Sequence, residues 1–211
     1  PKLLEQEGVE FEIVAGCGPD IKPPNDPRIR RIDIATKGKC AAYNILINEA
    51  RGKYLFLTQA DMELPFSGTL KKMLSEWKPR TMVTERFFKY GKRDPGLYHQ
   101  CMLIEKQEVI DAGMCDERFD DPTMYAFEDT DLIVRLLKNG VSFKILESNK
   151  DETIYHIDHP SVDLNDPIIR ARMTKARALY DSKHNKETIY TLYAKQLSNH
   201  LMEKARLMYG H

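Results

Sequence analysis

Apolar positions along this chain follow two alternating rhythms. Short runs rich in Ile, Val, Phe, Leu and Tyr, bounded by turn residues, predict strands at Phe11–Ala15, Arg31–Ala35, Tyr54–Thr58, Thr81–Thr84, Tyr98–Ile104, Val141–Leu146 and Thr153–Ile157. Between them, apolar residues recur at helical spacing. Cys40–Ala50 carries Ala41, Ile45 and Leu46 before a stop at Gly52. Phe66–Trp77 carries Phe66, Leu70, Met73, Leu74 and Trp77, which puts Trp77 on the apolar stripe and favours core packing for it. Lys106–Ala112 ends at Gly113, and Asp129–Asn139 presents Leu132, Leu136 and Leu137 before Gly140, with Lys138 in its last turn. Strands alternating with helices predict an α/β fold: a mostly parallel central sheet flanked by helices. From Asp166 onward the pattern is helical only, over Asp166–Tyr180 and Lys186–Met208. This predicts a domain over residues 1–160 and a C-terminal helical extension over 161–211. Asp20–Arg30, with its prolines, reads as an exposed loop. Pro1–Gly8 reads as the end of a helix stopped by Gly8. A domain that opens on a helix's last turns points to a longer natural chain or a lost N-terminal strand, or else to a boundary of no consequence.

Composition narrows the classes. The 211 residues suit one domain with an appendage, and 42% hydrophobic with 30% charged residues is ordinary for a soluble globular chain. Lys+Arg and Asp+Glu both number 32, so the net charge is zero, which argues against a general nucleic-acid or anionic-membrane binder. Apolar runs such as Tyr54–Leu57 are far too short for a transmembrane segment, and no signal peptide is visible. Cys17, Cys40, Cys101 and Cys115 show no CxxC spacing and read as reduced, buried thiols of a cytoplasmic protein.

Four segments carry candidate chemistry. Gln59-Ala60-Asp61 follows the buried run Tyr54–Thr58, where α/β sheets bind ligands, so Asp61 reads as a metal or phosphate residue or as a plain turn cap. Glu128, Asp129 and Asp131 crowd the first turn of a helix. Capping and dipole compensation explain one or two of them; a carboxylate left over can accept a proton from an attacking hydroxyl. His156 and His159 follow a strand and read either as ligands, with Asp61, for Mn²⁺ or another octahedral ion, or as exposed loop histidines. Lys37-Gly38-Lys39 precedes a helix and reads as a phosphate cradle or as an ordinary surface turn.

Taken in order, FEIVAG, KGKCAAYNILINEARGKYLFLTQADMEL and MLIEKQEVIDAGMCDERFDDPTMYAFEDTDLIVRLLKNG resemble the family 2 glycosyltransferases of the GT-A fold. The resemblance runs from Phe11 to Leu146. It implies a Rossmann-like GT-A domain that moves a sugar from a nucleotide donor, a UDP-sugar by preference, to a glycan, lipid or protein hydroxyl with inversion. It implies Asp61 as the last acid of a DxD-like element holding Mn²⁺ or Mg²⁺, with His156 as a further ligand and His159 as the less favoured choice. Asp129 becomes the general base, with Glu128 supporting it or orienting the acceptor, and Arg135 a brace for the acidic cluster. Lys37, Gly38, Lys39, Asn44, Gln59 and Ala60 fall on the donor side. The sequence also departs from the pattern. Gln59 replaces the first acid, Tyr43 replaces the arginine before Asn44, and the family's first strand would lie before Pro1.

Two other functions compete. One is a non-catalytic GT-A-like module that binds a sugar nucleotide or a glycan, motivated by Gln59. The other is a nucleotidyltransferase, which uses a similar sheet and an aspartate-bound metal. Arg86–Pro95, basic and aromatic, reads as a lid loop, with His99 and Gln100 in the strand beside it. Arg170, Arg172, Lys175 and Arg177 read as solvated helix faces.

Overall fold

The computed structural model describes residues 2–85, 88–89, 92–93, 101–147, 154–156 and 165–209. Its strands are β1 (Ile13–Cys17), β2 (Ile29–Asp33), β3 (Tyr54–Thr58), β4 (Met62–Glu63), β5 (Thr81–Glu85), β6 (Phe88–Lys89), β7 (Lys92–Arg93), β8 (Cys101–Glu105), β9 (Ser142–Leu146) and β10 (Tyr155–His156). Its helices are α1 (Lys39–Glu49), α2 (Thr69–Glu76), α3 (Lys106–Asp111), α4 (Glu128–Lys138), α5 (Pro167–His184) and α6 (Ile189–Tyr209). The alternation is that of an α/β fold with helices on both faces of the sheet and a helical C-terminal segment. Residues 98–100 of the expected Tyr98–Ile104 strand lie outside the described residues.

The central sheet has the order β3-β8-β5-β9 and is mixed. β5 and β9 are parallel, while β8 runs antiparallel to both β3 and β5. β1 and β2 form a separate parallel pair, and a small sheet of order β4-β10-β6-β7 lies past the end of β3. Successive strand side chains point to opposite faces. On one face Leu55, Leu57, Met82, Met102 and Ile104 meet Leu132, Ile133 and Leu136 of α4 in the main core. On the other, Val83 and Leu103 meet Met73 of α2. Trp77 packs edge-on against Tyr54, 4.8 Å between ring centroids, as its place on the apolar stripe predicts.

Several boundaries differ from the pattern, β2 lying two residues earlier than expected and α5 running on to His184, and two of the differences have local reasons. β1 starts at Ile13 because Phe11 lies under the Arg28 guanidinium, 5.1 Å from it, outside the ladder that opens at Ile13↔Ile29. α2 starts at Thr69 because Phe66 belongs to a turn tied down from elsewhere. Its carbonyl accepts from Gln6 Nε2 at 2.8 Å, and Gln6 Oε1 accepts from Leu70 N at 3.0 Å. The N-terminal residues thus close a short 3-10 turn, Lys2–Glu5, and then cap a helix sixty residues away.

The C-terminal helices share the main core, where Ala176, Tyr180 and Ile189 pack with Leu132 and Leu137. A buried polar group fixes their position. Asp131 is 0% exposed and accepts from Arg135 Nε at 2.9 Å and Nη2 at 2.7 Å, from His184 Nε2 at 2.8 Å, and from Lys183 Nζ. Burial alone would raise the Asp131 pKa, but Lys183, Arg135 and His184 together outweigh it and hold it below the ordinary carboxylate value. Burial lowers the His184 pKa, and Lys138 beside Nδ1 at 3.4 Å adds to that, so His184 folds neutral with Nε2–H donating to Asp131.

Two outcomes are expected in urea unfolding. Asp131→Ala takes from Arg135 and Lys183 the buried carboxylate that they share and lowers stability by about 3–5 kcal/mol. A histidine with a depressed folded pKa contributes its full stability above its unfolded value of 6.5 and loses it as pH falls toward the lower folded value. The stability difference between pH 7 and pH 5 therefore shrinks in His184→Gln, which keeps a donor to Asp131 but does not titrate.

Candidate functional site

A cleft of about 460 Å³ opens between the start of α1, the segment before α4 and the side of α5. Lys39, Asp120, Tyr125, Glu128, Asp129 and Arg172 line it. The acids crowding α4 separate by role. Asp131 turns into the core, whereas Glu128 and Asp129 face the cleft. Lys39 Nζ donates to the Glu128 carboxylate, which is 12% exposed. Burial would lower the Lys39 pKa, but Glu128, helped by Asp129, raises it above the ordinary lysine value, so the ammonium stays charged. Asp129 Oδ1 accepts from Thr130 N at 2.7 Å.

The backbone entering α4 is strained. Ala126 and Phe127 both have positive φ, 69° and 75°. Side chains avoid this region, at a cost of order 1–3 kcal/mol per residue. The contacts that hold it are aromatic: Phe127 lies 5.6 Å from the Tyr180 ring, and the Arg177 guanidinium covers both rings. Strain here presents Glu128 and Asp129 side by side at the cleft.

The phosphate-cradle reading of Lys37-Gly38-Lys39 needs correction. The free N–H groups at the start of α1 are taken by the Asp120 carboxylate, at 2.7 Å from Cys40 N and 2.8 Å from Ala41 N. A Cβ on Gly38 would collide with Cβ and Cγ of Asp120, so this glycine makes room for a protein carboxylate where a phosphate was expected. Lys37 is exposed. Asn44 is also reassigned: its Oδ1 accepts from Cys115 N at 2.8 Å, and its Nδ2 donates to Cys115 O at 2.9 Å and Glu117 Oε1 at 3.0 Å. That amide brackets a turn. Of the expected donor residues, Lys39 reaches the cleft. Gln59 hydrogen-bonds Tyr43, a phenol that burial pushes up to about 12 and whose near charges are Lys39 and Glu128. Ala60 is exposed in the turn beyond β3.

Asp61 stands at the carboxyl end of β3, where it and Glu85 are the carboxylates near the buried Cys101 thiol. Glu85 is 1% exposed at the end of β5, one residue past the expected strand. The ladder between β4 and β10 sets His156 opposite Met62, one residue from Asp61. His159 lies outside the described residues, as do His99 and Gln100. Among the described residues, no group of three or more His, Cys, Asp or Glu side chains is arranged to hold a metal ion.

Arg172 and Lys175, expected on solvated helix faces, instead meet this region of the protein. Arg172 lines the cleft, and Lys175 stands at its edge through Asp121. Arg172 Nη2 donates to Met124 O at 3.2 Å, its guanidinium lies 6.0 Å from the Tyr125 ring, and Lys175 pairs with Asp121 at 2.8 Å. Their three-residue spacing puts them on one helix face, but nothing in the sequence says what that face meets. Asp120 as a cap was equally hidden. Within the expected lid loop Arg86–Pro95, β6 and β7 pair antiparallel, and β6 pairs with β10. Arg135 binds Asp131 and the carbonyls of Ala112 and Met114. The four cysteines are free and buried, and among the described residues no helix is long and apolar enough to cross a membrane.

No family model and no curated protein sequence matches the chain. Among solved structures it is similar to 2-C-methyl-D-erythritol 4-phosphate cytidylyltransferase from Thermus thermophilus, at 13% identity and a TM-score of 0.46, covering 79% of this chain and 82% of that one. The expectation of glycosyl transfer is corrected here: the similar structure is named a cytidylyltransferase and not a glycosyltransferase.

Two substitutions test the local geometry with opposite signs. Gly38→Ala drives a methyl into the Asp120 cap and is expected to cost about 1–2 kcal/mol in urea unfolding. Ala126→Gly relieves a left-handed residue and is expected to stabilise by about 1 kcal/mol.

Proposed function

We propose that this chain binds a nucleoside triphosphate in the Lys39–Asp129 cleft and transfers its nucleotidyl group to an acceptor oxygen. The observation that carries the reading is the Lys39–Glu128–Asp129 arrangement: a lysine kept charged at a cleft wall, next to a carboxylate presented by strained backbone. In nucleotidyl transfer the acceptor oxygen attacks the α-phosphorus, the bond to the β-phosphate oxygen breaks, and pyrophosphate leaves. Negative charge gathers on the phosphoryl oxygens, and a fixed ammonium lowers that barrier. Lys39 supplies it by exchanging Glu128 for a phosphate oxygen. Asp129 takes the proton when the acceptor is a hydroxyl. Tyr125, with Arg172 beside it, offers a flat ring for a base.

The cleft wall carries Asp120, Asp121, Glu128 and Asp129 against Lys39 and Arg172, so a polyphosphate meets net repulsion there. A divalent cation is therefore part of the reading. Asp61, with His156 as a further ligand, would hold Mg²⁺ or Mn²⁺, an ion that would neutralise the departing pyrophosphate. Gln59, two residues from Asp61 and bonded to Tyr43, ties this strand end to the Lys39 side of the cleft.

Calorimetric titration of ATP, CTP, GTP and UTP with Mg²⁺ is the test, followed by pyrophosphate release in the presence of hydroxyl and phosphate acceptors. One nucleotide is expected to bind, and EDTA to abolish that binding. Lys39→Ala should weaken it about tenfold, worth ~1.4 kcal/mol. Glu128→Gln, which frees Lys39 and removes a negative charge, should tighten it a few-fold. Binding without pyrophosphate release under any acceptor would assign the cleft to a non-catalytic nucleotide-binding module. No binding of any nucleotide would overturn the reading.

A further inference from the structure

Cations around the candidate cleft are matched to carboxylates. Lys39 pairs with Glu128, Lys175 with Asp121 at 2.8 Å, and Arg177 with Asp181 at 2.9 Å. Farther along α5, Lys183 pairs with Asp116 at 2.5 Å. Arg172 breaks this pattern. Among the described residues its guanidinium meets no carboxylate, and its partners are neutral. Nη2 donates to Met124 O at 3.2 Å, and the guanidinium lies 6.0 Å from the Tyr125 ring. Nε is shut off from water and has no hydrogen-bond partner. Nη1 makes no hydrogen bond either, yet solvent reaches it, on a residue that lines the cleft.

The guanidinium is held in place before any ligand arrives. Asp131 draws α5 onto α4 through Lys183 and His184, and Arg172 stands half-buried on that helix. A planar fork fixed by a carbonyl and a ring keeps its whole charge and loses little freedom on meeting an anion. The acids of the cleft do not cancel it. Asp120 is taken by Cys40 N and Ala41 N, Asp121 by Lys175 and Thr123, and Glu128 by Lys39. Asp129 accepts from Thr130 at the first turn of α4. An uncommitted arginine favours a dianion over a monoanion, because the Coulomb attraction doubles. Phosphate is the dianion whose oxygens suit a guanidinium's parallel donors.

We infer that Arg172 binds a phosphate group carried by the acceptor. The assignment to the acceptor rests on the nucleotidyl-transfer reading. There, Lys39 takes the donor's phosphates from the α1 side, and the base takes the Tyr125 face that Arg172 leaves open. The α5 side is left to the second substrate, whose class is a phosphorylated alcohol with its free hydroxyl toward Asp129.

Calorimetric titration of inorganic phosphate into the 211-residue protein at fixed ionic strength tests the arginine. Saturable binding is expected. Arg172→Gln should weaken it about tenfold or more, and Arg172→Lys, which keeps the charge and loses the fork, about threefold. Arg170→Gln removes the same charge from an exposed position of α5 outside the cleft and should change binding less than about twofold. Arg172→Lys carries the test if Arg172→Gln loses its fold. No phosphate binding, binding indifferent to Arg172, or equal weakening by Arg170→Gln would overturn the inference. A second titration is made at saturating nucleotide and Mg²⁺. Phosphate that still binds through Arg172 supports the acceptor. Phosphate displaced by the nucleotide would assign Arg172 to the donor and overturn the acceptor assignment. The two readings fail separately. Nucleotide binding without phosphate binding removes this inference alone. Arg172-dependent phosphate binding without any nucleotide binding removes nucleotidyl transfer, and the acceptor assignment with it, but leaves the phosphate site.

Discussion

A single buried carboxylate organises the C-terminal half of this molecule. Asp131 has no access to water, and desolvation on that scale is tolerated only because three basic side chains converge on it. Arg135 comes from the same helix and carries the contact on to the Ala112–Met114 turn. Lys183 and His184 come from α5 and draw that helix onto α4. Lys183 reaches a second acid, Asp116, at 2.5 Å. Burial pushes the Asp116 carboxyl up, but its bonds to Arg118 and Lys183 outweigh that and hold it well below the usual carboxylate range. Once α5 is fixed, Arg172, Lys175 and Arg177 fall along the cleft and over Phe127. The wall of the candidate site is thus set by an interaction on the opposite side of α4.

This arrangement explains how one short run of acids serves two ends. Glu128 and Asp129 lie one turn or less from Asp131, yet they face the cleft while it faces the core. The left-handed pair Ala126 and Phe127 sets the direction in which the helix starts, and the helical repeat does the rest. The strained entry and the buried network hold the helix at both ends of its first turn. Lys39 then needs only to reach across from α1, whose own start is fixed by Asp120.

Much of the fold was legible because it rests on local signals. Tyr54–Thr58 reads as a buried strand from its apolar run, and α4 stops where Gly140 takes a positive φ of 82°. Strand direction was not legible. Cys101–Glu105 is as apolar as its neighbours, and nothing local marks it as antiparallel. The candidate site divides in the same way. Glu128, Asp129 and Lys39 stand out by charge density beside a helix start. Asp120 does not, because its partners lie eighty residues earlier in the chain. The lysine-glycine turn looked like an anion cradle for the same reason that it accepts Asp120: free N–H groups attract any carboxylate or phosphate that fits. Composition cannot say which arrives first.

The order of the strands also sets an order of assembly. β1 and β2 are close in sequence, with Ile13 facing Ile29, so their pairing closes a short loop. β5 pairs with β9 across Thr81↔Ser142, and β3 with β8 across Tyr54↔Glu105. These closures span far longer stretches and are intrinsically slower. During synthesis, β5 emerges well before either partner: one edge waits for β8, which ends at residue 105, and the other for β9, which ends at residue 146. The same interval is when such a chain is most exposed to aggregation and most in need of a chaperone.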